Sequence, residues 1–230
     1  MARAVACALA AACCVFCFSS PAAAQDRTEQ RYQFILRELA AGEGTSSLWW
    51  NGWVGGFALA TAGQTVLALT LNDRGWRIDN AVGAASSGLG LIGALLEPRT
   101  PVTAAADLRV MEASTPKERA LRLQRAEALL LRSAQEEIDG RSWFPHVAGA
   151  ATTVAASAVL WYGYDRYESG WINIIGGVLV TELQIATRPT AAVGSYRAYY
   201  DRYGTRRQSL APRRWWITAQ GLGLGVAGEL

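Results

Sequence analysis

A pattern of residues that occurs twice is the strongest constraint on how this chain can fold. Each copy opens with an apolar stretch after a tryptophan, reverses at an Asp-Arg pair followed by another tryptophan, and closes near a proline. The first copy runs from Trp50 to Pro98 and the second from Trp143 to Pro189. An α-helix rises about 1.5 Å per residue, so that about 20 apolar residues cross a hydrocarbon core. The repeat therefore predicts an all-α fold built from two duplicated helical hairpins.

The four arms of these hairpins are rich in glycine and alanine, and two of them carry no charge over long stretches. Residues 54–71 contain only Gln64 as a strongly polar side chain, and residues 147–164 contain no charged one. Small side chains allow membrane helices to approach closely, and tryptophans at the segment ends are typical of an aromatic belt. We therefore expect four membrane-type helices. A mean hydropathy of only +0.10 keeps a soluble periplasmic helical adaptor as an alternative.

The first 24 residues resemble a secretory signal peptide. Arg3 precedes an apolar run over 4–18, and an Ala-Ala-Ala sequence at 22–24 provides a cleavage site. The mature chain would begin at Gln25 and would lie in the cell envelope. The predicted signal contains every cysteine of the chain, which excludes disulfides and thiolate metal sites from the mature protein: Cys7, Cys13, Cys14 and Cys17.

Apolar periodicity and turn residues divide the chain into six segments. They are the signal peptide 1–24, an N-terminal amphipathic helix 25–47, hairpin 48–98, an amphipathic connector 99–141, hairpin 142–189, and a basic tail 190–230 with a glycine-rich extended end. The N-terminal helix should end at Gly42 or Gly44. Its predicted buried face contains Tyr32, Ile35, Leu36 and Leu39.

The connector carries clear signals for the start and the end of a helix. Thr115 and Glu118 have the spacing of a capping box, Pro116 suits the first helical position, and Gly140 is a natural stop. We expect a helix over 116–139 with its apolar stripe on the hairpins. The stripe contains Ala120, Leu123, Leu130, Leu131, Ala134 and Ile138, with Arg122, Arg125, Arg132 and Glu136 on the opposite face.

Few residues of the chain are suited to chemical catalysis. The single histidine, His146, follows a proline at a helix start, and no nucleophile motif accompanies it. The run GLGLIG over 88–93 lies late in a helical arm, whereas a dinucleotide-binding loop joins a strand to a helix. We therefore expect no enzyme activity, no cofactor and no metal. A net charge of +3 is too small to indicate nucleic-acid binding.

Three polar residues in the arms form a possible intramembrane site. Glu182 is ionisable within an apolar segment, where a charge is costly unless it is paired or faces water. Together with Gln64 and Gln184 it could line a polar path, which would make the protein a small oligomeric channel or transporter. The structural alternative pairs Glu182 with Arg188 or with an arginine of the tail.

The two turns share a second group of residues, which we interpret as turn and interface chemistry. An aspartate can cap the helix that follows it, and an arginine near a helix carboxyl end complements the helix dipole. The residues concerned are Asp73, Arg74, Trp76, Asp165, Arg166 and Trp171.

The distribution of arginines conflicts with the orientation that a cleaved signal implies. Cleavage would place both turns in the cytoplasm, yet the turns hold only Arg74, Arg77 and Arg166, whereas seven arginines follow Thr187. Short cytoplasmic segments normally hold the excess of Lys and Arg. The hypothesis favoured by the sequence is a non-enzymatic integral envelope protein with a structural or interaction role. Its expected partners are the lipid bilayer and either further copies of the chain or another envelope protein.

Overall fold

The computed structural model describes residues 21–97, 100–204, 210–212, 215–220 and 223–228. Most of the predicted signal peptide, residues 1–20, lies outside this part of the chain. The elements are α1 (Pro21–Thr70), α2 (Arg74–Leu96), α3 (Thr100–Arg109), α4 (Pro116–Asp139), α5 (Trp143–Ala158), α6 (Tyr167–Ala186), α7 (Ala191–Tyr203), β1 (Trp215–Gln220) and β2 (Gly223–Gly228). A π-helical turn, Val159–Gly163, continues α5. The fold is thus all-α up to a short C-terminal β-hairpin.

Two antiparallel helical hairpins are the main apolar elements. The second half of α1 packs on α2, and α5 packs on α6. Four helical stretches are long and apolar enough to cross a membrane: 26–70, 74–109, 143–163 and 167–203. Glycines permit the close contacts within each hairpin. Gly83 faces the side chain of Gln64 on α1, and Gly149 on α5 faces that of Thr181.

Helix α1 is much longer than predicted and passes through both glycines expected to end it. A glycine in a helix interior costs only about 1 kcal/mol relative to alanine. Contacts on both sides of Gly42 and Gly44 outweigh that cost, because Ile35 and Leu39 are buried before them and Ser46 after them. The predicted boundary at residue 47 therefore falls inside one continuous helix.

The first half of α1 forms a helical domain with α3, α4 and α7, and this domain has its own apolar core. The predicted face of α1 is confirmed, since Tyr32, Ile35 and Leu39 are buried and Leu36 packs against them. The core contains Tyr32, Phe34, Ile35, Leu39, Ala104, Ala105, Leu108, Leu123, Ala126, Leu129, Leu130, Ala134, Ala192, Tyr196 and Tyr199.

The connector helix α4 has the predicted ends. The Thr115 hydroxyl accepts the Glu118 amide at 3.2 Å, and the Glu118 carboxylate accepts the Thr115 amide at 2.8 Å. Gly140 follows as the C-cap residue.

The predicted faces of α4 hold only in part, because Ala120 of the stripe is exposed, whereas Arg122 and Glu136 of the opposite face are 16% and 8% exposed. The expected packing of the stripe on the hairpins is wrong, since Leu123, Leu130 and Ala134 are buried in the core of the helical domain.

The segment after Pro189 is not a simple tail. Its first part is helix α7, in which Tyr196 and Tyr199 are fully buried in the helical domain. Gly204 ends this helix in the left-handed conformation with φ of 61°, and its amide bonds the Tyr200 carbonyl at 3.0 Å. The glycine-rich end forms the antiparallel pair β1–β2 instead of a single strand, in register from Trp215 opposite Gly228 to Gln220 opposite Gly223.

Candidate functional site

The outer surface of the hairpins is strongly apolar. Leu59 and Leu69 of α1 and Ile172 of α6 are each more than 70% exposed. Lipid-facing helices present such side chains, whereas soluble bundles bury them. The stretch of α1 from Trp50 to Thr70 is about 30 Å long at about 1.5 Å per residue, which matches a hydrocarbon core.

Tryptophans lie at both ends of this apolar surface. At the turn end, Trp76 and Trp171 are 62% and 59% exposed. At the end nearest the helical domain, the indoles of Trp49 and Trp53 donate to the Thr187 hydroxyl at 3.2 and 3.3 Å. Indole groups favour the boundary between headgroups and acyl chains. The two levels therefore have the arrangement of two aromatic belts.

The structure gives the three predicted intramembrane polar residues separate partners. Gln64 accepts a hydrogen bond from the Ser87 hydroxyl at 2.9 Å within the first hairpin. In the second hairpin, a Glu182 oxygen lies 2.7 Å from Nδ1 of His146. The backbone carbonyl of Gln184 accepts the indole N–H of Trp49 at 3.3 Å.

The alternative pairing of Glu182 with Arg188 is wrong, because Arg188 forms an ion pair with Glu97. The actual partner, His146, is 40% exposed and Glu182 is 48% exposed. Two ionisable side chains thus stand next to each other on the outer face of an otherwise apolar hairpin. The sequence indicated Glu182 by its position in an apolar segment and His146 only as the single histidine, and only the packing of α5 on α6 pairs them.

The two predicted turns have different structures. Asp73 caps α2 as expected, since its carboxylate accepts the Trp76 amide at 2.8 Å. Asp165 has a left-handed φ of 55° and precedes Arg166, which is the N-cap residue of α6. The expectation that Asp165 caps its helix is therefore wrong. Arg74 is the exposed first residue of α2 and not the last of α1.

Arg166 joins the two hairpins at their turn ends. Its guanidinium binds both carboxylate oxygens of Asp79 on α2, with Nε 3.1 Å from Oδ1. The Ser169 hydroxyl donates to the same carboxylate at 2.8 Å. We call Asp79, Arg166 and Ser169 the turn clasp. Asp79 and Arg166 are 87 residues apart in the chain, and the pattern of the turns did not indicate their contact.

A second polar cluster lies where the hairpins meet the helical domain. The buried guanidinium of Arg188 pairs with Glu97 and stacks on the ring of Trp49 at 4.6 Å. Burial lowers the pKa of Arg188 to about 10. A side chain at Gly140 would collide with this guanidinium, so that the C-cap glycine of α4 also makes room for the ion pair.

Two adjacent glutamates of α4 complete this cluster. Glu136 accepts the Thr100 hydroxyl at 2.6 Å and Nε of Arg132 at 2.8 Å, both on one oxygen. Glu137 accepts the backbone amides of Ala192 and Val193 at 2.9 and 3.0 Å, which caps the first turn of α7.

A cavity of about 40 Å³ lies among these groups, and we call it the junction cavity. It is lined by Ser46, Trp49, Trp50, Glu97, Pro101, Val102, Glu136, Glu137, Arg188 and Pro189. A smaller recess shares Ser46, Pro101 and Glu137 with it and adds Glu38, Ser133 and Ser195. Within the described part of the chain, no group of three or more His, Cys, Asp or Glu is arranged to hold a metal ion.

No protein-family model matches the sequence, and comparisons with curated proteins and with solved structures find no significant match.

Proposed function

We propose that this chain is an exported, non-enzymatic integral membrane protein of the cell envelope with a structural or interaction role. The observation that carries the proposal is the exposed apolar surface of the four hairpin helices. None of the most apolar window of α1 is buried within the chain, and only 6%, 17% and 11% of the windows starting at residues 74, 143 and 167 are. Water would hydrate this surface at a cost of about 25 cal/mol per Å².

The connectivity supports an arrangement with the helical domain on one side of the bilayer. Each hairpin enters the membrane from this domain and returns to it, so that the chain crosses four times. The turn clasp then lies on the opposite side. The helical domain shares its side with the mature N-terminus, because the first half of α1 belongs to it.

Alkaline carbonate extraction of envelopes tests the insertion. A tagged full-length chain should remain in the membrane pellet, because carbonate releases proteins held by charge and leaves spanning helices in place. A single-pass protein and a secreted protein from the same cells serve as controls. Release into the supernatant would support the soluble adaptor instead.

We further propose that the outer face of the second hairpin binds a second copy of this chain. Glu182 lies five residues before Thr187, so that the His146–Glu182 pair is about 7.5 Å from the tryptophan level at Thr187, at about 1.5 Å per residue along α6. Ionisable groups at that depth need polar partners. If a twofold axis passes between the pairs of two copies, it brings His146 of one copy opposite Glu182 of the other, and the face is then complementary to itself.

Disulfide crosslinking in membranes tests this contact. Leu179 of α6 is 64% exposed and lies one helical turn before Glu182 on the same helix face, whereas Thr153 of α5 is buried against α6. With the four native cysteines replaced by alanine, Leu179→Cys should form a crosslinked dimer and Thr153→Cys should not. Glu182→Ala added to Leu179→Cys should reduce the yield. Equal monomer in all variants would show that lipid covers this face.

A further inference from the structure

The C-terminal β-hairpin has one apolar face. Its strands pair in antiparallel register, with Ile217 opposite Val226 and Thr218 opposite Gly225. Residues that pair directly lie on the same face of a two-stranded ribbon, and successive residues of a strand alternate between the faces. One face, which we call the apolar β-face, contains Trp215, Ile217, Ala219, Leu224 and Val226, and the opposite face contains Trp216, Thr218, Gln220, Gly223, Gly225 and Ala227.

The helices of the described chain do not cover this ribbon. Strands β1 and β2 contact each other, and neither strand has extensive contact with a described helix. An isolated two-stranded hairpin is only marginally stable in water, and a third strand or a helix packed on its apolar side is normally needed. The apolar β-face therefore needs a cover that the described part of the chain does not supply.

The β-hairpin starts from the end of the helical domain that leads into the membrane-type helices. Leu210 packs against the core of this domain, and the Ala211 carbonyl accepts a hydrogen bond from Nε2 of Gln135 at 2.6 Å. Gln135 lies four residues before the end of α4, and α5 begins eight residues after it. Strand β1 begins four residues after Ala211, which is a reach of at most about 14 Å. Under the proposed insertion, the β-hairpin therefore lies beside the bilayer.

The chain around the β-hairpin is basic. From residue 202 to residue 228 the sequence holds five arginines and no acidic residue. Each basic residue near an anionic lipid surface strengthens binding by about fivefold, and indole groups favour the same interface. Basic charge beside an apolar face is the composition of elements that lie in the interface of an anionic bilayer. Four of the arginines fall within the nine residues before β1: Arg206, Arg207, Arg213 and Arg214.

We propose that the apolar β-face lies on a bilayer surface that contains anionic phospholipids, with these four arginines at the lipid phosphates. A second copy of the chain fits the face less well, because contact between two β-hairpins brings the arginines of both copies together. An acidic protein offers the right charge, but the bilayer is already adjacent to the β-hairpin. The inference rests on the proposed insertion, because insertion places the bilayer next to the end of α4.

Fluorescence of labelled full-length chains in vesicles tests the inference. With the four native cysteines replaced by alanine, Ile217→Cys carries an environment-sensitive dye on the apolar β-face, and Thr218→Cys carries it on the opposite face. In vesicles of phosphatidylcholine and phosphatidylglycerol, emission from the Ile217→Cys label should shift to the blue relative to the Thr218→Cys label. The difference should be lost in pure phosphatidylcholine vesicles and in about 1 M salt, where the Debye length is about 3 Å.

Neutral variants separate the effect of charge from that of apolar contact. Arg213→Gln with Arg214→Gln, added to Ile217→Cys, should reduce the blue shift in the anionic vesicles. Arg27→Gln with Arg125→Gln is the matched control, because both arginines are exposed on the helical domain and Arg27 lies 22 residues before Trp49 on α1. This control should keep the shift.

Flotation of the same vesicles after carbonate treatment reports insertion separately. A chain that does not float overturns both the insertion and the inference that rests on it. In chains that float, equal emission from the two labels, or the same blue shift in pure phosphatidylcholine, overturns the inference alone. A shift that disappears when the protein is diluted in excess lipid overturns it in favour of a second copy. A shift that persists in detergent overturns it in favour of cover by the chain itself.

Discussion

Ionisable side chains between the apolar helices of this protein are held in pairs. Asp79 binds Arg166 at the turns, and Glu97 binds Arg188 at the junction. Removing one member of a partly buried pair leaves the other without its partner. How much stability a single substitution removes therefore depends on whether the lost partner lies on the same helix or on another one.

The turn clasp should stabilise the contact between the two hairpins. Arg166→Ala removes the group that binds both Asp79 oxygens, so we expect the Tm of the purified protein to fall by a few degrees. Arg74→Ala is the matched control, because Arg74 is an exposed arginine of the other turn. Equal Tm values for the two variants would contradict a stabilising role.

The raised pKa of Glu137 has a defined effect on stability. A carboxyl whose pKa is higher in the folded chain binds more protons when folded, so stability falls as the pH rises from 4.5 through the folded pKa. Glu137→Gln has no charge and should flatten the dependence of Tm on pH in that window. Glu112→Gln should retain the wild-type slope. A wild-type Tm that rises over this window would reverse the expected sign.

At the scale of the elements, close helix contacts depend on individual glycines. Gly177 of α6 faces the Thr153 side chain, and a Cβ there would lie 2.6 Å from its hydroxyl oxygen. Its neighbour Gly176 has open space at the same position. Gly177→Ala should destabilise the second hairpin by about 1–3 kcal/mol, whereas Gly176→Ala should not. Denaturant unfolding in mixed micelles measures both, and similar values would mean that α5 and α6 pack differently.

The architecture of the whole molecule bears on the conflict between the positions of the arginines and the orientation that a cleaved signal implies. Many basic residues lie in the folded helical domain, where Arg31 pairs with Glu127 and Arg122 with Glu29. The excess of Lys and Arg governs short loops, while folded domains cross membranes largely regardless of charge. Of the seven arginines beyond Thr187, three belong to the described part of the chain: Arg188 pairs with Glu97, and Arg197 and Arg202 lie on α7. In the proposed topology these three constrain the orientation less than a count of loop arginines indicates.

Cysteine labelling measures the orientation. In a chain with its four native cysteines replaced by alanine, Asn72→Cys and Glu168→Cys place exposed thiols in the two turns, and Gln124→Cys places one on the helical domain. An impermeant maleimide should label Gln124→Cys in intact spheroplasts and the turn variants only after lysis. Labelling of one turn without the other would exclude four crossings.

The ends of α4, the cap at Asp73, the buried face around Ile35 and the apolar arms all follow from residues within one or two helical turns. Capping, periodicity and apolar length act locally, and the sequence alone therefore determined them. The uninterrupted α1, the burial of α7, the turn clasp and the junction cavity involve partners tens of residues apart. Their free energies come from packing between helices, and only the tertiary structure decides which helices meet.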